Sequence, residues 1–190
     1  MAIYFDGLVT YSLMILFVVL ALILKFKFKK TYTYLLFFTI MYIYLCNVIN
    51  LTQFPIYKDD VQREVFGGQN VWRNMNLIPF QYGFKKDSFF NILMTVPLGL
   101  GLPFLIKASF KKIFGAGLLM GLLIECTQLL VALYAGYTFR FVDIDDIIYN
   151  LLGTLIGYLI LFKLFKITLK FIVKKFDMES NPLLKHMYNA

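Results

Sequence analysis

Hydrophobic residues in this chain run in long blocks and do not alternate with polar ones. Residues 7–24, 31–51, 88–106 and 113–135 form four such blocks, and the first three carry no charged residue. Each is close to the ~20 residues a helix needs to cross about 30 Å of hydrocarbon. A fifth block, 147–162, is shorter. It reaches spanning length if Asp146 marks one interface and the Lys163 stem carries its ammonium group to the other. The pattern predicts an all-α fold, a polytopic membrane helical bundle of five transmembrane helices. These fall at about 7–24, 31–51, 88–106, 113–135 and 146–165, within one integral membrane domain over 1–190.

The connections carry their own signals. The 53–87 loop is long for structureless chain. Within it "DDVQREVFGG" predicts a short amphipathic helix, with Val61 and Val65 on one face and Gly67–Gly68 ending it. "NLIPF" (76–80) predicts a turn at the membrane interface. After the fifth block, "KITLKFIVKKF" (166–176) places Lys166, Lys170 and Lys174 four apart with apolar residues between. That spacing predicts a basic amphipathic continuation of the fifth helix along the inner surface.

Composition agrees with the pattern: 60% of the 190 residues are hydrophobic, which excludes an ordinary soluble domain. Cys46 and Cys126 both fall inside hydrophobic runs, and the lone histidine, His186, lies in the polar tail. No disulfide framework, metal centre or cofactor is expected from them. The first block is not read as a cleavable leader, because no basic residue precedes it and "KFKFKK" follows it directly.

Charge sets the expected orientation. Lys25, Lys27, Lys29, Lys30, Lys107, Lys111, Lys112, Lys163, Lys166, Lys170, Lys174, Lys175 and Lys185 fall on one side, 13 of the 19 basic residues. By the positive-inside rule that side is cytoplasmic, with the N-terminus outside and the C-terminus inside. The basic excess therefore speaks for orientation and for contact with anionic lipid; nucleic acid is not implied.

Helical spacing then gathers the polar residues. On the fourth helix Gly117, Gly121, Glu125, Gln128 and Ala132 fall on one stripe. On the fifth, Asp146, Asn150, Gly153 and Gly157 do the same, and on the third Asn91, Thr95 and Gly99. Small residues let membrane helices approach, and polar ones leave lipid by facing each other. Helices three, four and five are thus expected to pack through these seams. Glu125, ~18 Å above the inner edge at 1.5 Å per residue, should sit slightly past mid-membrane. Asn91, Asp146 and Asn150 should lie in outer turns, with Asn47 and Asn50 of the second helix able to join them. Together they predict one outward-opening polar pocket.

Ordinary roles compete with a functional one. Asp143 can cap the fifth helix, while Asp145 and Asp146 complement its positive end. Arg140 can pair with those carboxylates. Glu125 is harder to explain structurally, since a carboxylate within the membrane costs several kcal/mol unless paired or protonated. Arg140 would reach it only if the 136–142 loop folds back into the bundle.

Four stretches of the second half carry a resemblance. "NLIPF" (76–80), "NILMTVPLG" (91–99), "ECTQ" (125–128) and "RFVDIDDIIYNLLGTLIG" (140–157) resemble, in order and on the same elements, the VanZ-like membrane proteins. The resemblance implies a role in low-level resistance to teicoplanin, a glycopeptide antibiotic acting outside the membrane. It names no reaction.

Besides polar seams that are purely structural or serve a partner protein, the residues leave three readings open. In the first, Asn76, Asn91, Glu125, Gln128, Arg140, Asp143, Asp146 and Asn150 bind a polar or anionic head group. The ligand would be a membrane lipid, a lipid-linked cell-wall precursor or the lipoglycopeptide itself, with Arg140 taking phosphate or carboxylate. In the second, Glu125 with Asp143 or Asp146 acts as an acid/base or metal-binding pair of an intramembrane enzyme on a lipid-linked substrate. The third is a lipid transporter, for which only Pro97 and Pro103 hint at a broken helix.

Overall fold

The computed structural model describes residues 2–57, 64–65, 70–176 and 181–190. Helix α1 (Gly7–Leu22) runs into a π turn at Ile23–Lys27, and α2 (Tyr32–Gln53) returns across the bundle. Helix α3 (Lys86–Gly101) ends in a 3-10 turn, Leu102–Phe104. Then come α4 (Phe110–Ala135) and α5 (Ile144–Ile156), which passes through a π turn, Gly157–Phe162, into α6 (Lys163–Phe176). A short α7 (Pro182–Asn189) closes the chain. Five segments are long and apolar enough to cross a membrane, the last being the continuous Ile144–Lys175. Apart from Glu64 and Val65, which are helical, the amphipathic helix expected over 59–68 lies outside the described residues.

Local chemistry fixes the helix ends. The Thr31 hydroxyl accepts the Tyr34 amide at 3.2 Å, and Asp143 accepts the Asp145 amide at 2.9 Å, so both residues cap the helices they precede. Gly136, at φ +77°, takes the left-handed turn that ends α4 and sends the chain back towards the bundle. Strands β1 (Ala2–Ile3) and β2 (Ile56–Tyr57) pair antiparallel, tying the N-terminal segment to the chain just past α2.

Helix α5 is the centre of the bundle, packed along α3 on one side and α4 on the other. The small-residue seams make this possible. A Cβ on Gly121 would strike Ile147, and one on Gly117 would strike Thr154 and Leu151. Each four-residue step down α4 is thus matched by a four-residue step along antiparallel α5. Against α3 the fit is closer still: a Cβ on Gly99 would meet the Thr154 carbonyl, one on Gly153 the Ile92 carbonyl, and one on Gly157 the Val96 carbonyl. Thr95 and Thr154, both fully buried here, return their hydroxyls to the Asn91 and Asn150 carbonyls at 3.0 Å. By contrast α1 buries none of its residues and leans on α2, where the Tyr42 hydroxyl donates to the Leu13 carbonyl at 2.6 Å.

The lysine-bearing end is more ordered than its composition suggests. His186 does not trail in a polar tail. Its Nε2 lies 2.8 Å from the Phe104 carbonyl and its ring stacks on Phe37 at 5.2 Å. Lys166 donates to the Tyr188 and Ala190 carbonyls at 2.6 and 2.8 Å, satisfying the open end of α7. Carbonyl acceptors and aromatic faces at this end hold the helix where hydrophobic pattern alone gave no reason for it to dock.

Candidate functional site

After Gly136 the chain does not leave the bundle. It descends beside α4 until the Asp143 amide donates to Glu125 Oε2 at 2.9 Å. Residue 143 is therefore level with a residue ten positions before the end of α4, ~15 Å down at 1.5 Å per residue. The fold-back that Arg140 would need to reach this depth does occur. Three contacts hold it: Tyr137 donates to the Tyr57 carbonyl at 3.2 Å, Phe139 meets the Tyr57 ring edge-on at 4.9 Å, and Arg140 Nη2 donates to the Phe54 carbonyl at 3.1 Å.

The "NLIPF" turn locks the other flank. The Asn76 amide donates to the Val142 carbonyl at 2.9 Å, and the Ile144 amide donates to the Asn76 carbonyl at 3.0 Å. The Asn76 side chain adds a bond to Asp143 Oδ1 at 2.8 Å, while Asp145 Oδ1 accepts the Phe80 amide at 2.7 Å. The start of α5 is thus clamped between this turn and Glu125.

The level of Glu125 in the bundle is set by its neighbours on α2. Gln128 Nε2 donates to the Thr52 carbonyl at 3.3 Å and Gln53 Nε2 to the Ile124 carbonyl at 3.4 Å, so this stretch of α4 is level with the last turn of α2. Helix α4 overshoots α2, and the overshoot is what the returning loop covers. Glu125 sits ten residues before the end of α4, level with the last turn of α2 and beneath folded chain.

Between α2, α3, α4 and the two loops lies a cavity of about 820 Å³, a size that holds a substantial ligand. Asn91, Glu125, Gln128, Arg140, Asp143 and Asp146 line it. Asn47 joins them; Asn50 does not. Two of the expected residues stand outside. Asn76 spends its amide on Asp143, bracing the wall from behind. Asn150 is 0% exposed and lies deeper along α5, within the helix contacts, with neither of its amide atoms partnered. Its stripe is shared with Asp146, but the close packing of α3 on α5 seals it from the cavity. Tyr44, Thr52, Lys85, Asp87 and Asp145 also line the space. Lys85 and Asp87 gave no sequence signal beyond their charge, and Asp145 none beyond its place at a helix start.

The lining has a definite electrostatic character. Five carboxylates (Asp87, Glu125, Asp143, Asp145, Asp146) face two cations, Lys85 and Arg140. Glu125 feels both Asp143 and Asp146, and Asn91 hydrogen-bonds the Asp146 carboxylate. Glu125 is only 3% exposed, yet its Oε1 has no partner, and the same holds for Gln128 Oε1 and Arg140 Nε. Burial pulls the Arg140 guanidinium below its ordinary pKa, though such a group stays cationic. Among the described residues no three His, Cys, Asp or Glu side chains are grouped to hold a metal ion.

Five apolar helices, with a carboxylate-rich cavity at one end of their bundle, define a multi-pass membrane protein. The chain belongs to the VanZ/LLP1 family, whose model matches residues 13–166. No curated protein and no solved structure matches it.

Proposed function

We propose that the cavity binds the polar head of an amphiphile from the outer leaflet, and that this binding underlies a contribution to teicoplanin-type resistance. The supporting observation is one space lined together by Asn91, Glu125, Gln128, Arg140 and Asp146.

The lining also constrains the ligand. With carboxylates in excess, a bare polyanion is repelled. A suitable head carries hydroxyl, amide or ammonium donors for Glu125, Asp146 and Gln128, and places its phosphate or carboxylate against Arg140 and Lys85. Lipid-linked cell-wall precursors and lipoglycopeptides both combine these groups.

Arg140→Ala and Glu125→Gln, each expressed in a teicoplanin-sensitive bacterium, test this reading. Both should return susceptibility towards that of cells lacking the protein, at unchanged protein abundance. Full protection by both variants would reject it.

A second reading has one observation in its favour. Glu125 and Asp146 border the same space and feel each other's charge, as a general acid and base would. On this reading the protein cleaves or transfers part of a lipid-linked substrate, and purified protein incubated with lipid precursors should yield a product of altered mass. An unchanged lipid pool would remove it.

A further inference from the structure

The two helices that wall the cavity are joined at one end and parted at the other. Towards the lysine-bearing end α2 and α3 pack closely. Phe37 stacks on Phe104 at 4.6 Å, the Met41 methyl fills the space a Cβ on Gly101 would need, and the Tyr44 hydroxyl donates to the Met94 carbonyl at 2.9 Å. Beyond Tyr44 the partner changes. The end of α2 is hydrogen-bonded to α4 through Thr52, Gln53 and Gln128, and both α2 and α3 turn side chains towards the cavity instead of each other.

The walls of this cleft carry large apolar side chains among their polar ones. Leu51 on α2 is 65% exposed, and Phe90 and Leu93 on α3 are 48% and 55% exposed, although all three line the same space as Glu125 and Arg140. Both helices belong to segments long and apolar enough to cross a membrane, and these side chains are open on the outside of the bundle. An apolar cleft continuous with a polar chamber matches one kind of molecule: a chain-bearing lipid whose head leaves the bilayer sideways. A ligand arriving from water would have no use for the apolar walls.

We propose that α2 and α3 form a lateral portal through which a phosphate-bearing lipid seats its head in the cavity, its hydrocarbon chain lying against Leu51, Phe90 and Leu93. The head enters beside Tyr44 and Asn47, the phosphate meets Arg140, and the chain never leaves the membrane. Pro97, in the same wall, cannot donate to the Leu93 carbonyl and so loosens α3 at the level of the cleft. This portal rests on the head-group reading given above, and its test separates the two.

The photocrosslinking amino acid p-benzoylphenylalanine is placed at Leu93, at Phe90, or at Leu119 on the opposite, exposed face of α4, in the full chain in bacterial membranes. After irradiation, lipid adducts are identified by mass spectrometry. Phe90 is the more conservative site and serves if the Leu93 variant fails to accumulate. Adducts at Leu93 and Phe90 should be enriched several-fold in one phosphate-bearing lipid relative to Leu119, and Arg140→Ala should abolish the enrichment. Identical lipid mixtures at all three positions overturn the portal, as does enrichment that survives Arg140→Ala. If identical mixtures accompany loss of teicoplanin protection in Arg140→Ala, the cavity reading stands and only lateral entry falls. If Arg140-dependent enrichment accompanies full protection, the portal stands and the resistance role falls.

Discussion

Glu125 holds the Asp143 amide with one carboxylate oxygen and leaves the other without a partner. A glutamine in its place keeps an acceptor for the amide while removing the charge; an alanine removes both. Glu125→Ala should therefore release the returning loop, whereas Glu125→Gln should keep it seated. A hydrogen bond to a charged acceptor contributes about 1.5–3 kcal/mol. Exchange of the Asp143 amide with solvent deuterium should accordingly quicken by roughly 10- to 100-fold in the alanine variant and far less in the glutamine variant. Equal exchange in the two would mean that the loop is held by its other contacts, through Asn76, Tyr137 and Arg140. Asn76 invites the complementary measurement. Asn76→Ala removes the bond to Asp143 Oδ1 but leaves both of its backbone bonds to the 142–144 segment, so the wall should loosen without detaching.

Among the elements, the glycine stripes have to be continuous because α5 is enclosed on two sides. Gly153 faces the Ile92 carbonyl and Thr95 so closely that a methyl group forces backbone apart, while Gly115 has nothing within reach. Gly153→Ala should destabilise the bundle by about 1–3 kcal/mol, the cost of overpacking a close contact. Gly115→Ala should be neutral or slightly stabilising, since alanine is the better helix former by about 1 kcal/mol. Thermal unfolding in detergent compares the two directly, and equal midpoints would deny the seam its role. These stripes were legible in the sequence because helical periodicity alone puts Gly117, Gly121, Glu125 and Gln128 on one face. What periodicity does not contain is the relative height of neighbouring helices. The overshoot of α4 past α2, and with it the level of Glu125, depends on the Gln128–Thr52 pairing. The same limit explains Asn150, whose stripe was correctly aligned with Asp146 but whose exclusion from the cavity follows from how tightly α3 closes on α5. The docking of α7 was hidden for a related reason, since His186 is held by a backbone carbonyl and an aromatic face that no local pattern announces.

For the whole molecule, everything turns on which side the cavity faces. The five spans alternate in direction, so the ends of α1, α3 and α6 and the starts of α2 and α4 share one side with the lysine clusters, while the cavity and both of its covering loops lie on the other. Thirteen of the 19 basic residues bias that lysine side towards the cytoplasm, and a polybasic surface there is attracted to anionic lipid by about 1 kcal/mol per lysine near the membrane. The proposed function requires the cavity to face the outer leaflet. Single cysteines decide the matter in a chain carrying Cys46→Ala and Cys126→Ala. With Trp72→Cys, exposed in the cavity-side loop, a membrane-impermeant maleimide should label intact cells. With Phe28→Cys, exposed at the lysine end, labelling should require permeabilised cells. The reverse result would turn the cavity towards the cytoplasm. Its acidic chamber and apolar cleft would be unchanged, but the lipid entering between α2 and α3 would have to come from the inner leaflet, and a direct encounter with an antibiotic confined to the outside would no longer be open to it.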